Sequence, residues 1–316
     1  ADILSIVTFL LVFCVTLHLL MMIYLKLLFM AIFWGGTFIA GRVVAAQMGP
    51  YSAAFLRFAL ASVLLAITLR NREGTLTLPP RKILGSLLIL GLTGIFIYNV
   101  LFFKSLKLIA AGRAAVIVAT NPIFIALFSA LFLGDKINLL AVTGILTSVS
   151  GALLVITRGK ISTLLSSGIG WGEAYVFGCV ASWVVFSLVG KTVMKSLSPL
   201  HSITYASIVG TVALFFPALN EGLLREATTQ APTVWLSISY LSVFGTVLGF
   251  LWYYEGIREL GPARAALFIN FVPVSAVFLA YLIIDEPVGL SLLVGTVLVT
   301  AGVYLTNRAK LKTKES

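Results

Sequence analysis

Two carboxamides lie inside stretches that are otherwise apolar: Asn121, next to Pro122, and Asn270, three residues before Pro273. An amide in hydrocarbon costs free energy unless it faces a polar cavity or another helix, so each is either a ligand contact or glue between helices. The prolines fall near the middle of stretches 113–133 and 264–284, where each removes a backbone hydrogen bond and is expected to bend its helix. Interruptions at corresponding places in two halves of a membrane protein point to a midplane binding site. A second group combines rings with polar tips: Trp34 with Thr37, Trp183 with Ser187, and Tyr98 with Asn99. Spacings of three and four residues put each tryptophan and its hydroxyl on one helix face, either lining a pathway or packing. Trp252, Tyr253 and Tyr254 are expected in the aromatic belt at a membrane surface. Gly35, Gly36 and the Gly245-x-x-x-Gly249 spacing permit close helix approach, for packing or for sliding. Arg57, seven residues into the stretch 51–69, can snorkel outward.

The acidic residues place themselves differently. All eleven carboxylates lie in loops or at the ends of apolar stretches, and Glu255 is the one modest candidate for coupling transport to protons. Its bland alternative is a loop partner of Arg258. The two histidines, His18 and His201, and the two cysteines, Cys14 and Cys179, show no metal-ligand or catalytic spacing. No P-loop or dinucleotide turn occurs, so neither ATP-driven pumping nor enzyme chemistry is indicated and no cofactor is expected.

The elements that must hold these residues are membrane helices. The chain has 316 residues, 60% hydrophobic and 10% charged, against ~25% charged in soluble domains. Eleven apolar stretches have bilayer length: 3–24, 25–46, 51–69, 83–103, 113–133, 138–157, 171–190, 200–219, 234–254, 264–284 and 289–306. The net charge of +11 then records topology rather than nucleic-acid binding. With residues 1–24 set aside and the next stretch starting in the cytoplasm, 14 Lys and Arg fall on the cytoplasmic side and 7 outside. Lys104, Lys107 and Arg113 run against this bias, which nonetheless puts the carboxyl end inside. The basic tail, Arg308 to Lys314, suits anionic headgroups and reads as a solvated flank.

The stretches repeat. Trp34, Gly41, Arg42 and Pro50 align with Trp183, Gly190, Lys191 and Pro199 at an offset of 149. Gly94, Arg113, Pro122, Gly144 and Gly151 align with Gly245, Arg264, Pro273, Gly295 and Gly302 at an offset of 151. Each unit has five spans, an odd number, so the second enters the membrane inverted. The domains expected are an extra segment 1–24, a first repeat 25–157 and a second repeat 158–316 with its basic tail.

The segment from Ala31 to Phe38, the Pro50-Tyr-Ser-Ala-Ala-Phe-Leu-Arg-Phe stretch and the Arg-Ala-Ala segments at Arg113 and Arg264 resemble the EamA family of the drug/metabolite transporter superfamily. The resemblance covers 25–306 and implies an all-α, ten-helix, 5+5 inverted-repeat carrier in the inner (cytoplasmic) membrane, most often an exporter of amino acids or related metabolites. It gives Arg57, in the family's Arg-Phe motif, a role at an outer gate or on an anionic substrate group. Small multidrug antiporters of that superfamily use a buried Glu in the first helix; 25–46 has none, which disfavours proton-coupled export of cations. Residues 1–24 depart from the pattern, and no Gly or Pro near residue 24 could turn the chain back. The expected partners are a small metabolite and the lipid bilayer, not nucleic acid, and a monomer is compatible with the sequence. An integral-membrane enzyme or a scaffold is the competing reading.

Overall fold

The computed structural model describes residues 3–74, 79–133, 139–160, 170–260 and 268–315. Among these the protein is all-helical. Helix α1 (Ile3–Gln47) is followed by α2 (Pro50–Glu73), then by a long span made of α3 (Leu84–Leu90), a π-helical segment (Gly91–Ile97) and α4 (Tyr98–Leu108). The first half closes with α5 (Ala111–Val118), α6 (Asn121–Leu133) and α7 (Leu139–Thr157). The second half runs through α8 (Trp171–Val193), α9 (Pro199–Glu221) and a short α10 (Leu223–Thr229). It continues with α11 (Pro232–Tyr240), a second π-helical segment (Leu241–Leu248), α12 (Gly249–Leu260), α13 (Phe271–Ile284) and α14 (Leu290–Glu315). Seven spans are long and apolar enough to cross a bilayer, and the shorter apolar stretches Ala111–Ile125, Phe271–Ile284 and Leu290–Thr306 complete ten.

Residues 3–24 run straight into the next stretch: α1 continues through residue 24 without a turn for 45 residues, as the absence of glycine and proline from residue 3 to residue 34 favours.

Helices α2 and α9 start alike, with proline in the first turn, where its missing N–H would be unpaired anyway. They lie antiparallel, as inverted repeats require. Glu221 at the end of α9 accepts from Ser52 N of α2 at 2.8 Å, and Glu73 at the end of α2 accepts from Ser198 Oγ, the α9 cap, at 2.6 Å. Each carboxylate thus sits on the positive end of the other helix. Between them, Ser62 Oγ lies 3.1 Å from Thr211 Oγ1, and these two residues are repeat equivalents at the offset of 149. A residue that touches its own equivalent marks the pseudo-two-fold axis.

The same axis orders α7 and α14. A methyl group on Gly144 would lie 2.6 Å from Gly302 O, and one on Gly302 would lie 2.5 Å from Gly144 O. Gly151 and Gly295 face each other in the same way, each 2.8 Å from the other's carbonyl. Exchange of the repeats maps one contact onto the other, so the backbones meet where only glycine fits. Outward faces carry exposed Phe216, Leu236 and Val297 toward lipid, while polar side chains such as Thr204 and Ser242 are wholly buried.

Candidate substrate site

The two π-helical segments occupy equivalent positions in the repeats. Wider turns leave backbone carbonyls seeking side-chain donors, and such bulges recur at functional sites. Asn99 Nδ2 donates to Ile95 O at 2.8 Å and to Gly94 O at 3.3 Å, while Thr246 Oγ1 donates to Leu241 O at 3.0 Å. Arg57 joins the two. Its Nη1 donates to Asn99 Oδ1 at 2.9 Å, its Nη2 reaches Thr246 Oγ1 at 3.4 Å, and its own carbonyl accepts from Ser242 Oγ at 2.8 Å. The guanidinium stands 5.0 Å from the centre of the Phe58 ring, and the residue is 8% exposed. Arg57 therefore turns inward rather than snorkelling to the surface, because two amide and hydroxyl oxygens substitute for water.

Trp34 and Thr37 close one side of this cluster. Trp34 Nε1 donates to Gly245 O at 3.0 Å, and Thr37 Oγ1 donates to Trp34 O at 2.6 Å. A methyl group on Gly245 would sit 2.6 Å from Thr37 Cγ2. Gly35 lies against Ser275 and Ala276 of α13, and Gly36 against the Tyr240 hydroxyl, so α1 is clamped between α13 and the span carrying the second π segment. Trp252, Tyr253 and Tyr254, just before Glu255, pack on neighbouring rings. Trp252 stacks on Phe33 at 5.4 Å, Tyr253 packs on Trp34 at 5.6 Å and Tyr254 on Phe250 at 6.0 Å, because their helix packs directly on α1.

On the other side, Tyr98 packs against Trp183 at 5.3 Å, and Trp183 against Phe186 at 5.1 Å. Phe186 fills the space that a side chain on Gly94 would need. Ser187 Oγ donates to Trp183 O at 2.7 Å, a bond within its own helix. Tyr98 and Asn99 are adjacent, so the aromatic group of α8 and the Arg57 cluster share the start of α4.

Asn121 and Asn270 are placed by helix breaks. The span around Pro122 is interrupted, α5 ending at Val118 and α6 beginning at Asn121; Asn270 stands immediately before α13. Pro122 and Pro273 thus occupy first turns, where proline loses no hydrogen bond. Both asparagines are buried, and among the described residues Asn121 Oδ1 has no hydrogen-bond partner.

At one mouth of the bundle Glu255 takes Lys26 Nζ at 2.8 Å and Arg72 Nη1 at 2.7 Å. Its described partners come from α1 and α2, distant in sequence; the side chain of the neighbouring Arg258 lies outside the described residues. At the other mouth Lys104 Nζ rests over the rings of Tyr51 and Tyr175 at 5.6 and 5.8 Å. Among the described residues no cluster of His, Cys, Asp and Glu could hold a metal ion.

Comparison with known proteins matches this architecture. The EamA-like transporter family matches residues 21–157 and again 170–308. "Uncharacterized transporter YyaM" of Bacillus subtilis is 33% identical over 297 residues, covering 93% of this chain and 97% of its own. "Probable terminal-alkyne amino-acid exporter" of Streptantibioticus cattleyicolor is 28% identical over 282 residues, covering 88% and 91%. A solved crystal structure superposes on 89% of this chain and 95% of its own with a TM-score of 0.64 at 18% identity, which shows a shared fold. Matched in both of its halves, the chain belongs to the EamA-like transporter family.

Proposed function

We propose that the protein is a secondary carrier, not an enzyme, that exports small polar or amphipathic metabolites such as amino acids by rocking its two repeats about a midplane site. The observation that carries this is the pairing of interruptions: a π segment and a helix break in each repeat, at equivalent positions, with the two π segments joined through the buried Arg57, Asn99 and Thr246. Irregular backbone inside a membrane is stable only where it lines a cavity or is buried in protein, and matched irregularities are what an exchange of conformations between halves needs. A relative named an amino-acid exporter supports the cargo class. In this reading Trp34, Thr37, Asn99, Asn121 and Asn270 contact cargo, and Gly35 and Gly36 let α1 slide. The Lys26, Arg72 and Glu255 mouth is cytoplasmic, as is the carboxyl end in the inner membrane, and flux runs down the cell's own gradient.

The test is uptake by proteoliposomes from a mixed panel of amino acids and related metabolites, read by mass spectrometry. Saturable entry of a few compounds is expected, and Asn121→Leu combined with Asn270→Leu is expected to abolish it in protein that still folds. Full flux and unchanged half-saturation in that double variant would remove both asparagines from the site.

A further inference from the structure

The two ion pairs at Glu255 have images under exchange of the repeats. Offsets of 149 and 151 carry Arg72 onto Glu221, Lys26 onto Tyr175 and Glu255 onto Lys104. The carboxylate at the centre of the near mouth becomes an ammonium at the far one, and the guanidinium that holds it becomes a carboxylate. Attraction between the two positions survives with its polarity reversed.

Half of the image is in place. Lys104 Nζ lies 5.8 Å from the centre of the Tyr175 ring, where Glu255 holds Lys26 at 2.8 Å. The other half is not. Arg72 pairs with Glu255 at 2.7 Å, but Glu221 accepts from Ser52 N at 2.8 Å, and among the described residues Lys104 makes no ion pair. Lys104 rests over the Tyr51 ring at 5.6 Å instead. Tyr51 and Ser52 are consecutive in the first turn of α2, so the ammonium and the carboxylate stand beside neighbouring residues without meeting.

The cap of α2 explains why Glu221 is held there. At the start of α9 the cap residue Ser198 accepts from His201 N at 3.1 Å with its own hydroxyl. The equivalent of Ser198 is Gly49, which has no side chain, so the start of α2 borrows carboxylates from the other repeat. Glu221 takes Ser52 N, and Glu226 takes Gly49 N at 3.0 and 3.1 Å. With Glu226 in place, departure of Glu221 leaves the helix end still partly capped. One carboxylate therefore has two donors within its neighbourhood, a backbone amide and an ammonium, and serves the first of them here.

We infer that Glu221 is a switched carboxylate: it caps α2 while the near mouth is clasped, and it moves to Lys104 when that clasp opens, latching the far mouth. This rests on the carrier reading above, in which each state of the carrier makes the repeat-exchanged contacts of the other, so that Arg72 with Glu255 in one state becomes Glu221 with Lys104 in the other.

The experiment reads each mouth separately, in nanodiscs and in a Cys14→Ser, Cys179→Ala background. Spin labels at Lys107→Cys and Arg225→Cys, exposed residues that flank the pair, report the far mouth as a distance distribution. The rate at which a polar maleimide modifies Leu27→Cys, in separate protein, reports the near mouth. Glu255→Gln is expected to add a shorter distance component across the far mouth. The single changes Lys104→Gln and Glu221→Gln also disturb the Tyr51 contact and the cap, so the pair is read from their double-mutant cycle. In the Glu255→Gln background their combined effect on the Leu27→Cys rate is expected to differ from the product of the single effects by about two- to fivefold, the scale of one partly exposed ion pair. Coupling of that size together with the shorter component supports the latch. Single effects that multiply to the double, in protein that does show the shorter component, overturn the latch and leave the rocking carrier intact. Absence of the shorter component in Glu255→Gln overturns the latch, and if Leu27→Cys labelling has risen in the same variant, alternating closure of the two mouths falls with it.

Discussion

Glu255→Gln removes a carboxylate that ties both α1 and α2 to the end of α12, and its effect can be worked from the geometry. The carboxylate holds Lys26 at 2.8 Å and Arg72 at 2.7 Å; it is itself well covered, while the Lys26 and Arg72 side chains are 36% and 54% exposed. Exposed pairs contribute ~0.2–1 kcal/mol each after screening and side-chain entropy, so the two together favour the shut mouth by roughly 0.5–2 kcal/mol. Glutamine keeps the volume and removes the charge. At ~1.4 kcal/mol per factor of ten, the population with this mouth open rises about two- to thirtyfold. Leu27, fully buried and packed against Gly256 of α12, is a reporter for that opening. In a background with Cys14→Ser and Cys179→Ala, the rate at which a polar maleimide modifies Leu27→Cys is expected to rise by that factor in Glu255→Gln. Molar salt is expected to narrow the difference by screening the pairs in the parent. Equal labelling rates with and without the carboxylate, in protein of unchanged fold, would refute the clasp and the sense of closure drawn from it.

Two further outcomes follow from packing and capping. Gly144→Ala places a methyl group 2.6 Å from Gly302 O and 2.7 Å from Thr306 N, both backbone atoms, and is expected to cost about 1–3 kcal/mol, read as a lower midpoint of thermal unfolding in detergent. Gly85→Ala, with nothing within 4 Å of the new carbon, is the matched control and is expected to lower nothing. Glu286 accepts from Ala111 N at 2.8 Å and Gly112 N at 3.2 Å, so Glu286→Ala is expected to destabilise by ~1 kcal/mol, with Glu286→Gln in between.

Much of the fold was legible because symmetry is written in residue spacing. The offset of 151 that aligns Gly144 with Gly295 and Gly151 with Gly302 anticipates which glycines exchange partners across the axis. The prolines located the interruptions: a proline's missing donor suits the start of a helix better than its middle, and the helix breaks just before Pro122. The π segments were not legible: an i to i+5 turn uses the same apolar residues as an α-helix and differs only in where carbonyls find donors. For the same reason Arg57 read as a snorkelling side chain until Asn99 and Thr246, from two other spans, were seen to supply its oxygens. Glu255 was visible as a candidate, but its partners lie 229 and 183 residues away and no local spacing reveals them.

The clasp at Glu255 has a counterpart only in outline. Exchange of the repeats carries Lys26, Arg72 and Glu255 onto Tyr175, Glu221 and Lys104, so the far mouth has a phenol where the near one has an ammonium. There Glu221 accepts from Ser52 N and Lys104 rests over the Tyr51 and Tyr175 rings, and among the described residues the two are not paired, whereas the near mouth makes two ion pairs. Unequal latches cannot create a gradient, since a passive carrier obeys the concentrations on either side. Under the alternating-access reading proposed above they would set where the empty carrier waits, and a carrier that waits facing one way would present unequal half-saturation concentrations and turnover from its two sides. Directional behaviour at low cargo would then arise from the three positions at which the two mouths differ, in otherwise duplicated machinery.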